Sequence, residues 1–297
     1  MDEYLSLFIR LVMKKQTLPC SITLCTLLLS PTVMALSCSE NLTQNRVQAN
    51  NYIFQILDFI DLPAQGIKQE VRTSTTIINN RNESTAKQIL NYDENGLITQ
   101  SQYILFSDDN KRVYSENLQK TTAGWENFIE DLEYKTSSII QFKTDEQGRI
   151  VESQQAKKAL DFIFTETDSY QYDSNNCLIN KQVQWKVKGV DDEGKFTGVD
   201  QNGASSYTFN YQQQQLAKVL YQFSNNTQNE TNFLYQYDNQ YRLTAIQSVY
   251  LSASKDEVNY TTQFLTFDGK NDWLTATKIR HDQKNKQTNI VREMTYY

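Results

Sequence analysis

One short frame recurs along most of this chain and leaves few folds open to it. It has an aromatic or apolar residue, usually an Asp next, a turn former four places on and an apolar residue six places on. Its fullest copy is Tyr92-Asp93-Glu94-Asn95-Gly96-Leu97-Ile98. Others start at Thr144, Tyr172, Val190, Tyr237 and Phe267, and a degenerate one with four Gln in its loop starts at Tyr211. Each position has a physical task. The aromatic residue ends a strand and covers its neighbour across the ladder, while the Asp carboxylate accepts backbone N–H groups inside the turn. Gly96 can take the left-handed conformation a tight turn demands, and Asn176, at the same place in the Tyr172 copy, is the next most tolerant residue there. The last apolar residue begins the return strand, as where the run ending at Tyr237 restarts at Leu243.

A chain built from such units is a series of hairpins, so the expected fold is all-β and antiparallel. The expected architecture is a meander curled into an open sheet or half-barrel, with at most one or two short helices, in a single domain over residues 67–297. It starts where Ile67, Val71, Thr73, Thr75 and Ile77 alternate with Lys68, Glu70 and Arg72, just after the break at Pro63–Gly66. Gly124–Glu133 reads as a short helix or a flap, which with Lys284 and Lys286 would protect the free edges of such a sheet. With only 9 Gly and 3 Pro, the loops must rely on Asx-type turns, and 39% apolar content suffices for a sizeable core.

Residues 1–37 belong to another regime. No charged side chain lies between Lys15 and Glu40, and Leu18–Leu36 is apolar with small residues at its end, which reads as a secretory signal. Met13-Lys14-Lys15 is a better start for it than Met1-Asp2-Glu3, because acidic residues oppose a positive leader. Two cleavage readings compete. Val33-Met34-Ala35 suits an ordinary signal peptidase cutting after Ala35, whereas Ala35-Leu36-Ser37-Cys38 is a loose lipobox that would leave Cys38 lipidated, with residues 38–66 as tether and entry segment. Within 41–62, Val47, Tyr52, Ile53, Ile56 and Ile60 mark either a helix face or that tether. The mature chain keeps only Cys38 and Cys177, so a soluble form in an oxidising compartment would allow a disulfide between them. Removing residues 1–37, whose charges sum to +1, takes the net charge from −6 to −7, which disfavours nucleic acid as a partner.

The Tyr-Asp-x-x-Gly-x-Leu/Ile frame resembles the YD repeats of Rhs-type proteins, whose successive hairpins form a continuous curling sheet. Those shells are several times longer, and this chain has too few turns to enclose a cargo. The Cys38 that follows the leader, the segment Phe59–Val71, the Tyr-Asp hairpins and the terminal Tyr296-Tyr297 together resemble the enterobacterial YnfC-type lipoproteins. That resemblance implies a Gram-negative envelope protein, anchored in the membrane through lipid on Cys38. Ser39 in place of an Asp implies the outer membrane, with the protein facing the periplasm. It implies no catalytic residues.

The sequence offers little catalytic chemistry. The single His281 stands beside Asp282 in an expected turn, and no Gly-x-Ser-x-Gly elbow accompanies it. Glu130-Asp131, Asp145-Glu146 and Asp191-Asp192-Glu193 read as solvated turn acids, and neither a phosphate-cradling glycine loop nor a metal-ligand spacing is present, so no cofactor and no metal are expected. Trp125, Trp185 and Trp273 are the candidates for a ligand-stacking platform, against the plainer reading of sheet packing. The leading expectation is a non-enzymatic envelope lipoprotein that binds or scaffolds an envelope protein or glycan. The alternative is a secreted or surface carbohydrate- or protein-binding module, an adhesin or an immunity-type protein.

Overall fold

The computed structural model describes residues 36–54, 66–122, 124–158, 162–191, 194–223, 226–251, 256–281 and 286–297. The expectations for the signal segment, including a start at Met13 and cleavage after Ala35, lie outside these residues. Within them the recurring frame folds as its residues dictate. In the copies at Asp93, Asp145, Asp173, Asp238 and Asp268, the carboxylate Oδ1 accepts the N–H groups of the residues two and four places on, at 2.8–3.0 Å. The residue three after each Asp is left-handed: Gly96, Gly148, Asn176, Tyr241 and Asn271. The apolar residue that follows is buried in each copy, as Ile98, Ile150, Leu178, Leu243 and Trp273.

Sixteen strands are formed among the described residues. The first eight are β1 (Ile67–Ile78), β2 (Arg81–Tyr92), β3 (Ile98–Ser107), β4 (Arg112–Thr121), β5 (Gly124–Asp131), β6 (Thr136–Thr144), β7 (Ile150–Lys158) and β8 (Phe162–Tyr172). The rest are β9 (Leu178–Val190), β10 (Phe196–Gln212), β11 (Gln215–Phe223), β12 (Asn226–Tyr237), β13 (Leu243–Leu251), β14 (Asp256–Phe267), β15 (Trp273–Arg280) and β16 (Lys286–Tyr296). Each pairs antiparallel with the next, as expected of a meander, but the sheet is not open: β1 also pairs with β16, from Ile67 opposite Tyr296 to Ile78 opposite Lys286, and the barrel closes. Closure abolishes both edges, so no protecting flap is needed. Gly124–Asp131 is accordingly a wall strand, and Lys286 is itself paired. The Val190 copy of the frame falls at the opposite end of the barrel from the others, where its Phe196 is exposed.

Alternation along each strand separates an inner from an outer face. Lys87, Gln102, Asn117, Gln141, Gln154 and Gln184 are exposed in the outer wall, positions where a lipid-facing barrel carries apolar side chains. Phe128, Ile139, Leu265 and Val291 are also exposed on this wall, so it mixes polar and apolar side chains.

Helix α1 (Leu42–Phe54) lies inside the turn end of the barrel, so the helical reading holds over those residues, while Ile56 and Ile60 lie outside the described ones. Asn41 caps it, its Oδ1 accepting the Gln44 N–H at 3.1 Å. The helix carries buried Asn side chains that complete the turns. Asn51 donates to the Gly96 carbonyl at 2.7 Å and accepts the Ile98 N–H at 2.9 Å. Asn50 does the same for Gly148 and Ile150, at 2.9 and 3.0 Å. The strand register shifts where each turn joins the ladder, between Asn91 and Tyr92 and between Lys143 and Thr144, and beside these shifts the N–H groups of Ile98 and Ile150 are taken by the helix. Phe54 packs against Trp125 and Phe142 with ring centroids 4.7 and 5.3 Å apart, and Tyr52 meets Phe209 edge-on at 5.2 Å. Tyrosines of the frame lace neighbouring hairpins: Tyr172 donates to the Ile150 carbonyl, Tyr211 to Leu178 and Tyr237 to Leu216, at 2.6–2.8 Å.

Because Asn50 alone satisfies both the Ile150 N–H and the Gly148 carbonyl inside the barrel, Asn50→Ala is expected to cost about 2–3 kcal/mol, measured as a shift of the urea midpoint. A cost below about 0.5 kcal/mol would mean the helix does not complete the turns energetically.

Candidate functional site

Above the buried face of α1, the barrel interior holds a cavity of about 220 Å³ whose floor includes Tyr52 and Ile53. Strand alternation builds its polar wall. Glu166 and Asp168 are two apart on β8, so both carboxylates face inward while Thr167 faces out. Ser153 of β7 lies opposite Asp168, and Lys181 of β9 lies opposite Tyr170. Tyr207, Phe233 and Tyr260 supply aromatic faces around them.

Asp168 is the centre of this wall and only 6% exposed. Its Oδ2 accepts hydrogen bonds from Ser153 Oγ at 3.2 Å and Tyr170 OH at 3.1 Å, and pairs with Lys181 Nζ at 2.7 Å. Its Oδ1 is buried without a hydrogen-bond partner. Lys181 Nζ also lies 5.8 Å from the Tyr170 ring centroid and 5.5 Å from that of Tyr207. Burial, followed by the neighbouring Asp168 charge, holds the Glu166 carboxyl above the usual range, against the pull of Lys181. Burial likewise pushes the hydroxyls of Tyr52, Tyr170 and Tyr207 upward, so they remain neutral. The cavity has an acidic pole, Glu166 and Asp168, facing aromatic walls. Such a site takes a hydrogen-bond donor, best a cationic one, carried on an apolar body.

The residues expected from sequence to carry binding are elsewhere. Trp125 is 5% exposed and packed on Phe54; Trp273 is 1% exposed, with Phe264 at 5.4 Å and the guanidinium of Arg292 over its ring at 4.8 Å. Neither has a face for a ligand, which corrects the stacking reading in favour of packing. Trp185 is half-buried and lies across Gly203 of β10, where any Cβ would collide with the indole ring, and with Thr165 and Thr167 it lines a pocket between β8, β9 and β10. His281 is exposed, with Nε2 3.1 Å from Thr261 Oγ1. Asp131 caps a turn by accepting the Tyr134 N–H at 3.0 Å, and Asp192 and Asp282 lie outside the described residues. The Glu166–Asp168 pair escaped the sequence reading. Its signal was two acids at strand spacing in an aromatic run, where both must share one face.

Cys38 is bonded to Cys177 with S–S 2.01 Å. A sulfur in a disulfide cannot also carry a thioether, so the structure holds the alternative to lipidated Cys38. Asp173 lies beside this pair, but both sulfurs are spent on each other and are not metal ligands in this state. The strap leading to Cys38 is part of the fold. Leu36 is 1% exposed and its carbonyl accepts the Leu216 N–H at 2.9 Å, while Cys38 N–H donates to the Gln214 carbonyl at 2.7 Å.

No family model and no curated protein matches the chain. Among solved structures it is similar to a porin-like protein from Bacteroides uniformis, at 14% identity and TM-score 0.45, covering 77% of this chain and 98% of that one. It is also similar to a LolA superfamily protein from Nitrosomonas europaea, at 8% identity and TM-score 0.29, covering 89% and 94%. A DUF1329 family protein from Desulfovibrio piger matches at 7% identity and TM-score 0.25, covering 77% and 86%. These are distant likenesses of architecture.

Proposed function

We propose that this protein is a non-enzymatic binding protein of the bacterial envelope, whose barrel takes a small molecule bearing a protonated amine on an apolar body. The observation that carries this is the inward-facing pair of carboxylates, Glu166 and Asp168, in a cavity walled by tyrosines. A protonated amine would offset the repulsion between Asp168 and Glu166 and lie against aromatic faces. Membership of the YnfC-type family belongs to the same proposal and rests on the sequence motifs at Cys38, Phe59–Val71 and Tyr296-Tyr297. The disulfide supports an oxidising compartment. It favours a second reading of the location, a soluble periplasmic or secreted chain cut after Ala35, because that cut keeps the buried Leu36 whereas cleavage before Cys38 removes it.

The test is calorimetric titration with phenethylamine and, as a control without N–H donors, its trimethylammonium analogue. The primary amine is expected to bind at one site and the analogue more weakly. Asp168→Asn is expected to lose roughly 10- to 100-fold in affinity, the worth of a hydrogen bond to a charged group. Affinity should fall as the pH drops through the raised pKa of Glu166, since the protonated acid no longer attracts the amine; Glu166→Gln should flatten that dependence. Equal affinity in parent and Asp168→Asn would remove the cavity from consideration.

A further inference from the structure

Strand β9 carries a single aromatic residue, Trp185. Lys181, which lines the amine cavity, and the buried Val183 are on the inner face of this strand, so alternation turns Trp185 inward as well. Register then fixes its neighbours. Glu166 stands directly opposite Trp185 on β8, Gly203 directly opposite it on β10, and Gln155 of β7 opposite Glu166. On β8 the order Tyr170, Asp168, Glu166 leads away from the turn end that holds α1. Glu166 and Gln155 belong to the cavity wall, so the rung that contains Trp185 bounds the cavity on the side away from the helix.

Gly203 accounts for the pose of the indole. A Cβ there would collide with Cζ2, Cε2 and Nε1 of the ring, so the indole lies flat on bare backbone that glycine alone provides. Trp185 remains half-buried, whereas Trp125 and Trp273 are 5% and 1% exposed. Of the three tryptophans it is the one with a face left for a ligand. Side chains directly opposite each other on a sheet stand about 5 Å apart at Cβ. The two-carbon arm that joins a ring to its ammonium spans such a gap.

We infer that Trp185 is the specificity-determining residue of the amine site: with the ammonium at Glu166 and Asp168, the ligand's flat ring lies on the indole, and the site selects aromatic amines over saturated ones of equal bulk. The inference rests on the amine reading of the cavity.

Titration of phenethylamine and 2-cyclohexylethylamine, one ammonium on an aromatic and on a saturated ring, tests it. The parent is expected to prefer the aromatic amine by about 2- to 12-fold, the worth of an aromatic pair. Trp185→Phe should keep most of that preference and Trp185→Leu should abolish it, while Asp168→Asn weakens both amines alike. Gly203→Ala, which keeps the tryptophan but displaces its ring, should lower the preference too. Emission gives a second readout: with Trp125 and Trp273 shut in the core, the shift on saturation with phenethylamine should come from Trp185 and vanish in Trp185→Phe. A preference that survives Trp185→Leu, or binding that leaves the emission unchanged, would overturn this inference and leave the amine cavity standing. Failure of both amines to bind the parent would overturn the two together.

Discussion

Glu70→Gln is expected to cost about 3–5 kcal/mol, the range seen when one partner of a buried ion pair is removed. Glu70 is fully buried on β1 and accepts from Arg292 Nε at 2.8 Å, Arg292 Nη2 at 3.2 Å and Tyr92 OH at 3.0 Å, besides its ion pair with Arg72. Arg292 belongs to β16, so this cluster spans the seam where the last strand meets the first. A Gln of the same size removes the carboxylate that bridges the two buried guanidinium groups and leaves Asp272, 4.0 Å from Arg292, to face them. Burial alone would raise the Glu70 pKa, but Arg292 and then Arg72 outweigh it and hold the carboxyl at about 2. Its folded value is therefore below the unfolded one, near 4.3 for a model Glu. The stabilisation is complete above that unfolded value and is lost as pH falls towards 2. Urea midpoints at pH 7 and pH 3 check both points: the parent should lose stability between them, and Glu70→Gln should lose less. A midpoint at pH 7 within about 0.5 kcal/mol of the parent would show that the seam is held by its ladder alone.

The second large effect concerns the disulfide. Cys38 and Cys177 are 139 residues apart in sequence. In chain-entropy terms a loop of that length is worth about 5 kcal/mol of constraint on the unfolded state. Cys38→Ser/Cys177→Ser is therefore expected to lower stability by several kcal/mol, and reduction of the parent should match it. Because the bridge holds the strap at Leu36–Ser39 to the turn between β8 and β9, amide exchange in α1 should accelerate before that of the barrel strands. Intact mass of the mature protein is the direct check: a chain starting at Leu36 and lighter by two hydrogens is expected. A chain starting at Cys38 and bearing lipid would overturn both the disulfide and the stability effect.

Much of this protein is written locally. Seven residues suffice to encode each turn, because the Asp carboxylate, the left-handed residue and the first residue of the return strand interact within the turn itself. Hence the hairpins, the antiparallel meander, the start of β1 at Ile67 and the roles of Gly96 and Asn176 were legible. Alternation also told which residues share a face. The Asn50-Asn51 pair was not legible, since two polar residues in a helix mark an exposed face unless one knows that a barrel's freed N–H groups surround them.

What the tertiary structure decided is everything that depends on residues far apart meeting. Whether a curling sheet stays open or closes turns on accumulated twist over sixteen described strands, a sum that no single hairpin reveals. Only closure brings Glu70 to Arg292, 222 residues away. Only closure gives the inward acids of β8 a cavity to face and shuts Trp125 and Trp273 into the core. By itself the sequence determined the unit and its direction; the burial, charge and possible ligands of the interior follow from the circle those units complete.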